Sequence, residues 1–252
     1  MSPCRLQGMF AKPMAGNVPM DVCRWGAGDF PFKKIVLVVY MNRGLFITVE
    51  GTDGSGKTTQ ITNMRAHLAS LGCQVLLTRE PGGTRISESI RSIILDPAYA
   101  EMSNTAELLL YSASRAQLVE QVIRPSIANS ITVICDRYVD SFYAYQGFGR
   151  GTGFELLENI TRIAVNGTMP DITFFFDLDP EIGLKRRFAA TESDRIENEV
   201  MEFHKKVHEG YKALAARYPD RIRTIDASRP AEEVWLDVRR QLDMTLGFIK
   251  SV

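Results

Sequence analysis

Apolar residues follow two alternating patterns along the chain from residue 45 onward. Short continuous apolar runs are typical of buried strands, and the longer stretches between them space apolar residues three or four apart, as on one face of a helix. The predicted strands are 45–49, 74–78, 131–134, 172–176 and 222–225. Strands that alternate with helices predict an α/β fold of three layers, in which a five-stranded parallel sheet carries helices on both faces.

Helices are predicted between these strands from apolar spacing and capping residues. Ser103 and Asn104 are expected to cap a central helix that Pro125 ends, and Asp179 with Pro180 begins a later helix. The predicted helices cover 59–71, a segment around 86–94, 106–122, a segment from 179 onward, 197–217 and 230 to about 248.

Residues 1–40 differ from the rest of the chain. They are rich in proline and glycine and show no strand or helix period before Ile35. We expect a poorly ordered extension, followed by one domain over residues 41–252. Because Met41 directly precedes the first core strand, a functional chain that begins at Met41 is one alternative. A targeting segment is another, although basic residues are sparse there.

Charge and cysteine content narrow the class of protein. Lys+Arg and Asp+Glu both total 30, which gives no support for a nucleic-acid partner or a polybasic membrane surface. No apolar run reaches the length of a transmembrane helix. The four cysteines form no C-x-x-C pair, so free thiols in a reducing cytoplasm are the expected state.

The segment GTDGSGKT, which begins at Gly51, is the first motif along the chain that indicates a ligand. It follows a strand and precedes a helix, and it fits the phosphate-binding pattern G-x-x-x-x-G-K-[ST]. Gly51, Gly54 and Gly56 let backbone N–H groups approach phosphate oxygens. Lys57 brings charge to the β- and γ-phosphates, and the Thr58 hydroxyl can ligate Mg²⁺. The motif predicts a nucleoside triphosphate ligand without defining the reaction.

A second pocket is predicted beside the first. The segments TREPGGT at 78–84, YSASR at 111–115 and DRYVDSFYAYQGFGRG at 136–151 follow strand ends or lie on adjacent helices, and open α/β sheets bind ligands at that edge. Guanidinium groups match phosphate oxygens in two-point geometry, and the candidates are Arg91, Arg115, Arg137 and Arg150. Tyr111 shares a helix face with Arg115, so its ring can stack a base.

Together, GTDGSGKTT, TREPGGT, LLYSASRAQLV, DRYVDSFYAYQGFGRG and DRIE resemble bacterial thymidylate kinase over about residues 42–248. The resemblance implies a nucleoside monophosphate kinase of the P-loop NTPase fold with a short mobile lid at about 184–197. The implied reaction transfers the γ-phosphoryl group of ATP to dTMP, giving dTDP and ADP for dTTP biosynthesis. It also implies Mg²⁺ as cofactor, a cytoplasmic homodimer, and no nucleic-acid or membrane partner.

The resemblance assigns roles to individual residues. Those implied to bind ATP are Gly51, Thr52, Asp53, Gly54, Ser55, Gly56, Lys57, Thr58, Thr59 and, beside adenine, Ala227. Those implied to bind the acceptor are Asp53 at the sugar 3′-hydroxyl, Tyr111 on thymine, Arg115 and Gln146 at the base, Arg91 and Arg137 at the phosphate, and Glu80 and Pro81 along the pocket. Thr58 and Asp136 are implied to lie near Mg²⁺, the latter through water.

The chain departs from the family pattern in two places. Many bacterial members carry an R-x-R run in the lid, whereas Arg186 and Arg187 are followed here by Phe-Ala-Ala. The arginine that neutralises the transferred phosphoryl group is therefore open between Arg187 and Arg195, which join Lys57, Asp53 and Arg137 as catalytic candidates. Phe142 stands where a small polar residue is common, so base selectivity is expected to depend more on Gln146.

Other interpretations stay open at the sequence level. A different nucleoside or nucleotide kinase fits the same loop, as does a nucleotide-binding protein without turnover, while a GTP-dependent switch lacks its N-K-x-D segment. A phosphate acceptor needs no general base, and the arginine-rich pocket favours it over a sugar hydroxyl. His204 and His208 are expected to be solvated. Glu107 suits the first turn of a helix whose apolar face fits either core packing or a dimer surface.

Overall fold

The computed structural model describes residues 43–188, 194–197 and 199–247, the side chains of residues 187 and 188 excepted. In this part of the chain five strands form one sheet: β1 (Phe46–Glu50), β2 (Val75–Arg79), β3 (Thr132–Asp136), β4 (Ile172–Asp177) and β5 (Ile222–Asp226). Their order is β2-β3-β1-β4-β5, and all neighbours are parallel. The predicted α/β fold with a five-stranded parallel sheet is confirmed.

The helices of the described part are α1 (Lys57–Ser70), α2 (Arg85–Leu95), α3 (Asn104–Leu118), α4 (Arg124–Ala128), α5 (Val139–Phe142), α6 (Phe154–Val165), α7 (Pro180–Phe188), α8 (Met201–Arg217) and α9 (Ala231–Thr245). A π-helical segment, Val119–Ile123, joins α3 to α4, and another, Tyr143–Gly149, continues α5. Pro97–Tyr99 forms one 3₁₀ turn.

The sheet buries apolar side chains on both faces, which places one helical layer on each side. Ile47 and Val49 of β1 belong to a core with Met64 of α1 and Val238 of α9. Phe46, whose side chain points to the opposite face, belongs to a second core with residues of α3 and α8. The alternation of neighbouring side chains along β1 therefore produces the three-layer arrangement.

The register brings the chemistry-bearing loops to one edge of the sheet. Val49 of β1 is level with Asp136 of β3, and the Arg137 N–H donates to the Val49 carbonyl over 2.9 Å. The loop after β1 and the segment after β3 therefore leave the sheet side by side, at the carboxyl ends where α/β proteins bind ligands.

Two helix boundaries differ from the sequence predictions. Pro125 does not end the central helix, because it lies in the first turn of α4, where its missing N–H is not needed. Glu197 is not helical: the Asp194 carboxylate accepts the N–H groups of Ile196 and Glu197 in a turn, and α8 begins at Met201. The segment after β3, for which no secondary structure was predicted, is helical in α5 and its π-helical continuation.

Two predictions on domain organisation lie outside the described residues. The expected extension at 1–40 is one, so its division from the domain stays a prediction. Part of the predicted lid, residues 189–193, is the other. The described start of that region, α7, packs on the glycine-rich loop, because a Cβ on Gly54 would overlap the Gly183 carbonyl oxygen.

Candidate active site

A cavity of about 570 Å³ opens at the carboxyl edge of the sheet, between the glycine-rich loop and the segments that follow β2 and β3. The predicted residues that line it are Asp53, Gly54, Ser55, Gly56, Lys57, Thr58, Glu80, Pro81, Arg91, Tyr111, Arg115, Asp136, Arg137 and Gln146. The cavity therefore joins the predicted triphosphate site to the predicted acceptor pocket.

Some predicted residues lie elsewhere. Gly51, Thr52, Thr59, Ala227 and Arg195 are not among the residues that line the cavity, and the Arg187 side chain lies outside the described part of the structure. Sequence reasoning assigned no role to several residues that do line it: Arg79, Leu95, Tyr138, Ser141, Tyr145, Asp194, Ile196 and Glu197. Arg186, the neighbour of the candidate Arg187, also lines the cavity.

The glycine-rich loop has the backbone that a phosphate cradle needs. Gly51, Gly54 and Gly56 have φ angles of 136°, 75° and 85°, which other residues rarely adopt. Gly56 caps the N-terminus of α1, where unpaired N–H groups and the helix dipole favour an anion. Lys57 is 7% exposed, and its ammonium donates to the carbonyls of Gly51 and Thr52 at 3.1 and 2.9 Å.

Arg137 bridges the loop and the acceptor side. Its guanidinium lies 2.6 Å from Asp53 Oδ1 and donates to the Gly51 carbonyl over 3.0 Å. It also stands 5.4 Å from the centre of the Tyr145 ring. Burial works to raise the pKa of Asp53, but the charges of Arg137 and Lys57 outweigh it and lower that pKa to about 2. Asp53 is therefore an anion held in place by a cation.

Glu50 is a buried carboxyl behind Arg137 that sequence reasoning missed. It is fully buried at the end of β1 and accepts hydrogen bonds from the Tyr138 N–H, Ser141 and Tyr211. Burial, aided by the charge of Asp140, raises the pKa of Glu50 to about 7. The sequence signal for Glu50 was a charged residue at the end of a mostly apolar strand.

The hydroxyls bound to Glu50 also hold Arg137. Arg137 Nη1 donates to Tyr211 over 3.1 Å and to Ser141 over 3.3 Å. Its φ of 69° is uncommon for a residue with a side chain. The surroundings thus fix both the backbone and the guanidinium of Arg137.

Glu80 and Arg115 form an ion pair in the wall of the acceptor pocket. Their side chains are 4% and 2% exposed, and Arg115 Nη2 lies 2.7 Å from Glu80 Oε2. Burial raises the pKa of Glu80 to about 7 against the opposing charge of Arg115. The guanidinium also stacks over Phe142, 4.8 Å from the ring centre. Buried Glu80 Oε1 and Arg115 Nη1 have no hydrogen-bond partner in the described part of the chain.

Glu107 lies in the first turn of α3, as predicted, and its carboxylate is a buried hydrogen-bond acceptor for three side chains. It is 1% exposed and accepts hydrogen bonds from Gln146, Arg150 and Arg195. The Arg195 Nε also donates to the Ile94 carbonyl over 2.7 Å. Arg195 is thus bound to α2 and α3 instead of reaching into the cavity.

The expectation of two solvated histidines is wrong. His204 is 4% exposed, and His208 lies 2.6 Å from the Asp177 carboxylate. Both histidines belong to α8, which packs on the sheet. The face of α8 that carries them is therefore turned away from solvent.

Asp136 and Thr58 have the chemistry that a magnesium ion needs. Both line the cavity, and Asp136 Oδ1 is buried without a hydrogen-bond partner among the described residues. No group of three or more His, Cys, Asp or Glu residues in the described part is placed to hold a metal. Such a sparse set fits Mg²⁺, which takes one or two carboxylates together with waters and phosphates.

Among the described helices, none combines the length and the apolar composition needed to cross a lipid bilayer.

Comparison with known proteins gives a consistent result. Residues 49–238 match the family model described as thymidylate kinase. The thymidylate kinase of Pelotomaculum thermopropionicum is 50% identical over 212 residues, which are 83% of this chain and 98% of the relative. That of Deinococcus radiodurans is 46% identical over 198 residues, 79% of this chain and 96% of the relative.

A solved structure agrees with these sequence matches. The crystal structure of thymidylate kinase from Ehrlichia chaffeensis superposes with a TM-score of 0.65 at 34% sequence identity. The match covers 80% of this chain and 99% of that one.

Proposed function

This chain belongs to the thymidylate kinase family, and we propose that the cavity described above is where it transfers the γ-phosphoryl group of ATP to dTMP, giving dTDP and ADP. The reaction is that of the family. The observation that supports this location is a single cavity lined by both the phosphate-binding loop and a second pocket of arginine and aromatic residues.

We place the ATP phosphates on the glycine-rich loop. The N–H groups at the start of α1 and the Lys57 ammonium are the donors there. The carbonyls that now accept from Lys57 belong to Gly51 and Thr52 of the same loop. Lys57 therefore exchanges these carbonyls for phosphate oxygens when the triphosphate binds.

We place dTMP in the second pocket. Its phosphate is already anionic, so the reaction needs positioning and charge neutralisation rather than a general base. Arg137 and Arg91 supply that charge, and Arg91 is oriented by a 2.9 Å bond to the Pro81 carbonyl. Asp53, held ionised beside Arg137, receives the sugar 3′-hydroxyl, and the Tyr111 ring stacks on thymine.

The magnesium ion is proposed to lie between Thr58 and Asp136. When bound, it shields the negative charge of the phosphates. The buried, unpaired oxygen of Asp136 is suited to hold one of its waters.

The arginine that meets the transferred phosphoryl group is proposed to come from α7. Arg186 lines the cavity, and the neighbouring Arg187 remains a candidate. Arg195 is the weaker candidate because its guanidinium is bound to Glu107 and to the Ile94 carbonyl.

A homodimer is proposed, with α3 and α6 at its centre. These helices pack against each other and expose large apolar side chains: Leu109 and Leu156 are each 53% exposed and Ile163 is 78% exposed. Leu156 and Ile163 are seven residues apart, so they share one face of α6. Contiguous exposed apolar side chains mark association surfaces.

A cytoplasmic location is also proposed, since Cys73 and Cys135 of the described part carry free thiols. Fractionation of cells that express the protein tests it, and recovery in a secreted fraction contradicts it.

An acceptor panel tests the function. ADP release is measured with ATP, Mg²⁺ and, separately, dTMP, dUMP, dCMP and dGMP. We expect dTMP to give the highest kcat/KM. If dTMP releases no more ADP than the other acceptors, the proposed reaction is wrong.

A further inference from the structure

Glu107 lies at the start of α3 and does not line the cavity, yet it contacts a residue that does. Its Oε1 accepts Gln146 Nε2 over 2.7 Å, and its carboxylate also accepts from Arg150 and Arg195. Burial opposes ionisation, but the hydrogen bonds from these three side chains hold the pKa of Glu107 below its usual value. Glu107 is therefore a carboxylate, which can accept hydrogen bonds but cannot donate them.

This chemistry decides which end of the Gln146 amide faces the cavity. The end beside a carboxylate has to be the NH₂ group, because the opposite rotation would bring two acceptor oxygens together. With the NH₂ group bound to Glu107, the carbonyl oxygen Oε1 is the end of the Gln146 amide left to face the cavity. It is buried, it has no partner within the described part of the chain, and Gln146 lines the cavity. Gln146 therefore offers the pocket a hydrogen-bond acceptor whose direction is fixed.

A neighbouring donor is fixed by a second carboxylate. Glu80 Oε2 accepts both Nε and Nη2 of Arg115, over 2.8 and 2.7 Å. Arg115 Nη1, which is buried, is left without a partner among the described residues. Among the described residues, the wall of the acceptor pocket thus presents Gln146 Oε1 as an unpaired acceptor and Arg115 Nη1 as an unpaired donor, with Glu80 Oε1 as a further unpaired oxygen. A ligand that carries a donor for Gln146 and an acceptor for Arg115 restores both of those hydrogen bonds.

We propose that Glu107 is a positioning residue that sets the base specificity of the enzyme, by holding Gln146 so that its carbonyl oxygen accepts the N3–H of a pyrimidine-2,4-dione. Thymine has this N3–H beside the O4 acceptor, which complements Gln146 and Arg115. Cytosine has an acceptor at N3 and an amino group in place of O4, so it meets both partners with the wrong polarity. This inference rests on the proposed function.

The test is the Glu107→Gln variant. A neutral amide at 107 can donate as well as accept, so Gln146 is free to rotate and to offer its NH₂ group to cytosine. We expect the ratio of kcat/KM for dTMP to that for dCMP to fall by about ten- to a hundredfold, the range expected when a buried polar atom loses its partner. An unchanged ratio overturns the proposal.

A double-variant cycle separates this role from packing. If Glu107 acts through Gln146, Glu107→Gln has no further effect on the ratio in a Gln146→Leu background. An equal fall in both backgrounds overturns the proposal, because Glu107 would then act through its other partners. Glu199→Gln is the matched control: it removes the carboxylate 2.6 Å from Arg150 and leaves the Gln146 bond intact. The ratio should not change in this control, and a fall equal to that of Glu107→Gln also overturns the proposal.

A measurement on the unaltered protein covers the case in which Glu107→Gln fails to fold. dTMP methylated at N3 cannot donate to Gln146, so its dissociation constant should rise about tenfold or more over that of dTMP. Equal binding of the two overturns the proposal. If the unaltered enzyme does not turn over dTMP, the proposed function is wrong. If it does, and Glu107→Gln leaves the selectivity unchanged, only the role of Glu107 is refuted.

Discussion

Arg137 is the residue at which the two halves of the cavity meet. Its guanidinium contacts the Gly51 carbonyl of the loop and the Asp53 carboxylate, while Ser141 and Tyr211 link it to Glu50. A cation held from several sides loses little conformational entropy when a phosphate arrives. The residue network thus holds a positive charge at the place where, under the proposed function, the two phosphate-bearing substrates meet.

Lys57→Met should abolish turnover. The substitution keeps an unbranched side chain that lacks only the terminal ammonium, the cation proposed to meet the β- and γ-phosphates, so we expect kcat to fall by about a thousandfold or more. Steady-state kinetics with saturating dTMP measures it. dTMP binding by calorimetry is the control, since the acceptor pocket is left intact. A variant that keeps a tenth of the kcat contradicts the assignment.

Glu50→Gln should change how stability depends on pH. The folded-state pKa of about 7 lies above the ordinary glutamate value of 4.5, so the folded protein holds a proton between these pH values that the unfolded protein releases. Stability from this group is therefore present at low pH and lost as pH rises through 7. We expect the variant to remove about 3 kcal/mol of that decline.

Urea unfolding at pH 5 and pH 8 measures this effect. Glu120→Gln is the control, because Glu120 is 57% exposed and pairs only at the surface with Arg124. It should leave the decline unchanged. Equal declines in Glu50→Gln and the unaltered protein would mean that Glu50 has an ordinary pKa.

The glycine-rich loop and α7 interact backbone to backbone. An added Cβ on Gly54 would overlap Gly183, and one on Gly183 would overlap the Asp53 carbonyl oxygen. Because neither helix nor loop has room for a side chain here, the position of α7 is tied to that of the loop. Arg186, near the end of α7, therefore has a defined position relative to the glycine-rich loop.

Gly54→Ala should separate these two elements. The methyl group would meet the Gly183 carbonyl, and the φ of 75° is unfavourable for alanine, so we expect a loss of about 1–3 kcal/mol in unfolding free energy. The kcat/KM for ATP should fall about tenfold or more, because α7 is displaced from the phosphates.

Gly151→Ala is the matched control for that prediction. Gly151 has a φ of 77° and no heavy atom within 4 Å of an added Cβ. It should show the stability loss caused by strain while keeping the kcat/KM for ATP. Equal kinetic effects of the two substitutions would remove the α7 contact as the explanation.

At the scale of the whole molecule, each face of the sheet packs against a hydrophobic core, and the cavity lies at the carboxyl edge of the sheet. The exposed apolar side chains of α3 and α6 belong neither to the two cores nor to the lining of the cavity. Ile163 is 78% exposed, a cost that a dimer interface would remove by excluding water from the side chain.

Ile163→Asp should therefore yield a monomer. A buried charge without a partner opposes association, while Ile163 makes no contribution to the cores of the subunit. Sedimentation velocity of the variant and the unaltered protein measures the mass of each. Arg162→Asp, a charge change at the neighbouring polar position of α6, is the control. A dimeric Ile163→Asp variant would place the interface elsewhere.

The sequence by itself determined the sheet, the glycine-rich loop and most residues of the cavity wall. Strand and helix periods are local properties, and the loop needs its glycines and Lys57 at fixed spacing. The five strands were therefore predicted to within two residues of their observed ends. The same local reasoning identified Arg115 and Arg137 as candidates for the second pocket, and the family resemblance added Gln146.

Only the tertiary structure decided which polar groups are buried and how they are paired. Glu107 was correctly predicted in the first turn of α3, but its burial and its bonds to Gln146 and Arg195, 39 and 88 residues away in sequence, appear only in the tertiary structure. His204 looked solvated and is buried. A carboxylate acquires a perturbed pKa, and an amide a fixed direction, from neighbours distant in sequence, because desolvation and hydrogen bonding act through space.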